Sequence, residues 1–252
     1  MTSTTPFTPL PAPTRTVRVE VWSDVACPWC FIGKRRFAAA LERFAHREHV
    51  EVVWRSYQLS PETPTGPGRP EVEALAQMKG LDPAQVRQMF AHVTAVAATD
   101  GLRYDFDRTL AFNTFDAHRL LHLAARVGGA ALADATMEAL FSAHFEQGVD
   151  LGAEGALATV AEQVGFAQHG WDAGRVAAAL AGDDEAEAVR ADIAEARALG
   201  VTGVPFFVLD RRYGVSGAQP VEVFAQLLET GWREANPLAT VPAGEVCADG
   251  TC

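Results

Sequence analysis

The chain holds 252 residues, nearly half of them hydrophobic, with 21 Lys and Arg against 32 Asp and Glu for a formal charge of −11. That balance argues against intrinsic disorder and against generic nucleic-acid binding, because the phosphates would be repelled. Outside the Pro-rich first 14 residues no run free of charged residues exceeds 12, short of the roughly 20 needed to span a bilayer, so no membrane partner is expected.

Residues 1–15 carry Pro6, Pro9, Pro11 and Pro13, which prevent a helix, and no Lys or Arg precedes Arg15, so a flexible N-terminus is expected. A secretory signal needs a charged start and an apolar run. Neither is present, and the expected compartment is the cytoplasm. Four cysteines fall in two close pairs, Cys27 with Cys30 and Cys247 with Cys252. In a reducing compartment such spacings point to redox or metal chemistry rather than structural disulfides.

Val17, Val19 and Val21 alternate with Arg18, Glu20 and Trp22, the pattern of a strand with one buried face. It runs into Cys27-Pro28-Trp29-Cys30, where Pro28 suits the first position of a helix that continues through Phe37, Leu41 and Phe44. Val50, Val52 and Trp54 predict a second strand, paired parallel to the first. Four Pro and two Gly between Ser60 and Pro70 mark a linker. From there to Gly182 the periodicity is helical throughout, with helices predicted from Asp82-Pro83, over Thr114–Val127, Leu132–Gln147, Glu154–Val164 and Ala173–Leu180. The acidic run Asp183-Asp184-Glu185 reads as a solvated cap before an amphipathic helix to Leu199, closed by Gly200. Val201 to Leu209 reads as a tight turn feeding an apolar strand. A hairpin turn, a short strand over Gly214–Gly217 and a last helix from Pro220 follow. The small residues and Pro from Asn236 onward predict a flexible tail at 236–252 carrying the second cysteine pair.

Cys27 at the start of a helix and Cys30 one turn inside it form a two-electron exchange device. The free N–H groups and positive dipole end at a helix start favour a thiolate, which makes Cys27 the nucleophile. Cys30, within bridging reach, resolves the mixed disulfide. Pro28 rigidifies the turn and Trp29 offers a ring at the rim for docking a substrate. Asp24, three residues before Cys27, is a candidate proton relay for Cys30 or else a local cap. His118 and His122 have the i, i+4 spacing of metal ligands, but no third ligand is near and no metal is expected. Half a zinc site at Cys27 and Cys30 fits zinc spacings poorly. Cys247 and Cys252 could be a second redox pair, a tail disulfide or a metal pair.

The strand into Cys27-Pro28-Trp29-Cys30, the long helical segment and Gly203-Val204-Pro205 before a strand together resemble the DsbA family of the thioredoxin superfamily. Ser23 to Gly33, Trp54 to Leu59 and Asn113 to Leu120 look more narrowly like its FrnE-like branch. The resemblance spans roughly residues 17–235. It implies an α/β fold with a thioredoxin-like domain, 16–65 and 183–235, interrupted by an all-α insertion, 66–182. It also implies a cis Pro205 facing the cysteines, Val204 backbone groups that pair with substrate, and Asn113 and His118 at the groove between the two parts. The implied activity is thiol–disulfide oxidoreduction or isomerisation on protein or small-molecule thiols and disulfides. No cofactor is required, and glutathione is a candidate redox partner. A glutathione-dependent isomerase or transferase of the kappa-like or 2-hydroxychromene-2-carboxylate isomerase type is the nearest alternative, although such proteins typically carry Ser where this chain has Cys27. A metal-binding or stress-sensing cysteine protein is the third.

Overall fold

The structure, a computed structural model, describes residues 15–237. The two termini, including Cys247 and Cys252, lie outside the described residues. Strand β1 (Val17–Ser23), helix α1 (Pro28–Arg43) and strand β2 (Val50–Ser56) form the first unit, and β1 and β2 pair in parallel from Val17 opposite Val50 to Ser23 opposite Ser56. After the Pro-rich segment come β3 (Arg69–Pro70), α2 (Glu71–Lys79), α3 (Pro83–Thr99), β4 (Leu110–Ala111), α4 (Phe115–Phe145), α5 (Ala156–Gln163) and α6 (Ala173–Ala181). Helix α7 (Ala186–Ala198), strands β5 (Phe206–Leu209) and β6 (Tyr213–Ser216) and helix α8 (Val221–Ala235) complete the chain. The main sheet has the order β2-β1-β5-β6, with β5 antiparallel to both β1 and β6.

Helices α1 and α8 cover one face of this sheet. Phe37 of α1 and Phe224 of α8 meet Phe207 of β5, with ring centroids 4.5 to 5.6 Å apart. Burial of each such ring stabilises the layer by roughly 1.5–3 kcal/mol. The other face is also covered, which corrects the expectation of a half-buried β1. Helix α7 packs there, Trp22 is fully buried and its indole N–H donates to the Asp192 carbonyl at 3.0 Å. Glu20 is buried on that face because Arg55 and Arg211 pair with it. A central strand flanked by helices on both sides hides its polar register too, and ion pairing makes the charge tolerable.

Two further expectations change, and one holds. The segment after Glu71 is not purely helical: β4 pairs with β3 in a two-residue ladder that ties the start of α2 to the stretch before α4. The two helices expected between Thr114 and Gln147 are both present; they are numbered together as α4 and meet at a break at Gly129, whose φ of 70° only glycine adopts without strain. Glu185 caps α7 by backbone alone, and its side chain pairs with Arg126 instead of standing free in solvent. The Pro-rich linker is pinned by two anchors. Gly68 N–H donates to both Asp150 carboxylate oxygens at 2.9 Å, and the Asn113 amide donates to the Thr63 carbonyl at 2.6 Å.

Candidate active site

Strand β1 delivers the chain to a tight turn in which Cys27 N–H donates to the Asp24 carbonyl at 3.0 Å. Cys27 is the residue before α1, with extended backbone and no side-chain cap, and Pro28 opens the helix. This leaves the first N–H groups of α1 without a side-chain cap. Cys30 N–H donates to the Cys27 carbonyl at 3.0 Å, closing the turn that stacks the two cysteines. Both are free thiols and buried, Cys27 at 4% and Cys30 at 1% exposure, whereas Trp29 between them is 37% exposed at the rim. Burial and the neighbouring Cys27 sulfur push the Cys30 thiol well above the usual range, against the smaller pull of the Ser23 hydroxyl and the Asp24 N–H. Cys30 is thus held as a protonated thiol behind Cys27.

The loop before β5 comes up against this turn. The Val204–Pro205 bond is cis, and the Cys27 thiol donates to the Val204 carbonyl at 3.4 Å. Gly33, one turn after Cys30, lets Pro205 approach: a Cβ at that position would lie 2.9 Å from the Pro205 Cγ. On the other side the Tyr104 hydroxyl donates to the Pro28 carbonyl at 2.6 Å. Burial and the adjacent cysteines raise its pKa, so it remains an O–H donor. Tyr104 carries no sequence signal, since it sits in an irregular segment far from the motif.

Asp24 is 1% exposed and fully engaged. Its carboxylate accepts from Leu59 N–H at 2.7 Å and faces His118 Nε2 at 3.3 Å. His118 is entirely buried, which corrects its expected place at a substrate groove: a side chain beneath the motif meets Asp24, not solvent. His122 turns elsewhere, to Asp192 at 2.9 Å and Ser56 Oγ at 3.1 Å, so the two histidines do not converge on an ion. Among the described residues no group of three or more His, Cys, Asp or Glu is arranged to hold a metal. Asn113 likewise spends its amide on the chain, accepting from Phe115 N–H at 3.0 Å and Gln58 at 3.2 Å besides its bond to Thr63. Its part is to join α4 to the linker.

Beside Cys27 a groove of about 780 Å³ runs between the motif and α2 and α3, bordered by Ala26, Pro28 and Trp29 on one side and by Leu75, Met78 and Met89 on the other. Glu71, the first residue of α2, lines it. Burial and the charge of Asp24 push its carboxyl up to about 7, with Arg69 opposing. Sequence reasoning missed Glu71, because an acidic residue in the first turn of a helix is ordinarily a solvated cap.

The model of the DSBA-like thioredoxin domain matches residues 18–229. The chain belongs to the DsbA-like thioredoxin family. It is 42% identical to a probable DsbA oxidoreductase from Streptomyces coelicolor, over 94% of this chain and 98% of that one, with a TM-score of 0.78. A cytosolic disulfide reductase from Pseudomonas aeruginosa, DsbM, solved with glutathione, is 20% identical over 86% of this chain and 99% of its own, at a TM-score of 0.57, and is similar in fold. The uncharacterized protein YwbO of Bacillus subtilis is 41% identical over 46 residues, so the chain matches only 21% of that protein's length. This DsbA-like chain is accordingly an oxidoreductase enzyme with a mixed α/β thioredoxin fold and a helical insertion. Among the described residues no helix is long and apolar enough to cross a membrane.

Proposed function

We propose that the protein is a cytoplasmic thiol–disulfide oxidoreductase in which Cys27 is the nucleophile and Cys30 the resolving thiol. The observation that carries this reading is the pairing of Cys27, at the open start of α1, with a deeper Cys30 held as a thiol one turn behind it. In the reductive direction the Cys27 thiolate attacks one sulfur of a substrate disulfide. That S–S bond breaks, a Cys27–substrate bond forms, and the departing thiolate takes a proton. Cys30 then gives up its proton and attacks the Cys27 sulfur, releasing the second substrate thiol and leaving a Cys27–Cys30 disulfide. Two electrons pass to the substrate, and the reverse sequence oxidises a dithiol.

The Val204 carbonyl, next to Pro205, already accepts from the Cys27 thiol, and its backbone edge is suited to align an extended substrate there. Pro28 and Trp29 form the near wall of the groove. Asp24, buried three residues before Cys27, is the candidate acceptor of the Cys30 proton, and His118 positions its carboxylate. No cofactor enters these steps. Glutathione or another thiol recharges the pair, and Cys247 and Cys252 are a candidate second pair for that exchange. In the test, Cys30→Ser is expressed in a cytoplasm and its partners are trapped as mixed disulfides on Cys27, with Cys27→Ser as control. Trapped species that vanish in Cys27→Ser are expected; equal trapping by both variants, or none, overturns the assignment.

A further inference from the structure

We propose that the groove beside Cys27 takes an apolar peptide segment bearing an ammonium or guanidinium group, and that Glu71 receives this cation. The inference rests on the thiol–disulfide reading above and names the substrate class it serves.

Three observations converge. Four of the five large hydrophobic side chains exposed among the described residues, Trp29, Leu59, Met78 and Met89, border this one groove, and clustered exposed apolar surface of this kind marks a docking site. The volume of about 780 Å³ suits a short peptide segment rather than a single small thiol. Glu71 is the acidic residue of a largely apolar wall that also carries Ser60, Lys79, Gln85, Gln88 and His92. Its Oε2 is buried without a hydrogen-bond partner, the state in which an incoming donor gains most.

The charged surroundings favour a cation at this end of the groove. Burial and Asp24 hold the Glu71 proton to about pH 7, so the empty carboxyl is readily neutral near neutrality, while an ammonium group would restore the carboxylate and gain a charge-assisted hydrogen bond. Arg69 acts on Glu71 from the adjoining β3 without bonding to it, and its guanidinium donates instead to Gln77. Lys79 ends the same helix about 12 Å away by helical rise, and His92 lies beside Trp29, with ring centroids 6.5 Å apart. Glu71 is the carboxyl-bearing residue of the groove lining.

The test is binding, read by fluorescence anisotropy at physiological salt, of two labelled and end-blocked peptides. Each has S-methylcysteine at its centre, Leu and Phe beside it, and either Lys or norleucine at the fourth position. The Lys peptide is expected to bind wild type about tenfold more tightly than the norleucine peptide. The preference should be lost in Glu71→Gln and kept in Glu73→Gln, an exposed carboxylate on the same helix outside the groove. Equal binding of the two peptides to wild type overturns the proposal without reliance on any variant. Failure of the Lys peptide to bind, a preference that survives in Glu71→Gln, or one that also disappears in Glu73→Gln overturns it as well. Because S-methylcysteine cannot exchange, absence of disulfide turnover would refute the oxidoreductase reading while leaving this result standing on its own.

Discussion

Replacing Glu71 by Gln should change how the stability of the protein depends on pH, and the direction follows from two buried groups with opposite slopes. In the folded chain Glu71 keeps its proton to about pH 7, against 4.5 for a free carboxyl. The native state therefore binds more protons than the unfolded one between those values, and stability falls as pH rises through them. At 1.36 kcal/mol per pH unit the loss above pH 7 is about 3 kcal/mol. His144 runs the other way. It is fully buried, neither ring nitrogen has a partner, and burial lowers its pKa from 6.5 to about 4, with Asp24 opposing. Its contribution is complete above 6.5 and lost as pH falls toward 4, again by about 3 kcal/mol. Between pH 4.5 and 6.5 the two effects offset each other in the wild type. Glu71→Gln removes one of them, so the variant should match wild type near pH 4, exceed it by up to about 3 kcal/mol at pH 8, and rise with pH between. Urea unfolding at pH 4, 5, 6, 7 and 8, with the slope checked for constancy, measures the difference. Parallel curves for variant and wild type would show that Glu71 is not held protonated, and the reasoning about its environment would fail.

Gly33→Ala places a methyl group against Pro205. Overpacking costs roughly 1–3 kcal/mol but the gain in helix propensity returns about 1, so melting should shift little while disulfide exchange falls several-fold as Val204 is pushed from Cys27. Unchanged exchange would refute the contact's importance. Asp192→Ala strips a buried acceptor from Arg55, His122 and Ser56 N–H, at 2.8, 2.9 and 2.9 Å; removal of one partner of a buried ion pair costs roughly 3–5 kcal/mol, which urea unfolding at pH 7 will read. Tyr104→Phe removes the hydroxyl that donates to the Pro28 carbonyl at 2.6 Å and should destabilise by about 1 kcal/mol, again by urea unfolding.

The order of strands and helices was legible because it depends on local signals. Pro28 and Pro83 after their caps, Gly200 at a helix end and the apolar run before Leu209 each specify an element without help from distant residues. The cysteine pair was legible for the same reason, since four consecutive residues fix its geometry. Partners remote in sequence were hidden. Glu20 and Trp22 look like the wet face of a strand until α7, 170 residues further on, arrives with the Asp192 carbonyl to accept the indole N–H. His118 looks like a groove residue until the fold sets it beneath Asp24, and Glu71 looks like a helix cap until α3 and the motif enclose it. The break within α4 was legible too, because Gly128 and Gly129 separate two helical periodicities and Gly129 takes a non-helical backbone conformation.

The central claim is that Cys27 takes the substrate sulfur and Cys30 releases it. Intact-mass spectrometry with peptide mapping after brief treatment with oxidised glutathione tests it most directly. The peptide carrying Cys27 and Cys30 should lose two hydrogens in wild type and carry a Cys27–Cys30 disulfide, whereas in Cys30→Ser it should stop at one glutathione on Cys27. A glutathione that settles on Cys30, or a wild type that holds its adduct without closing the internal disulfide, would contradict the account.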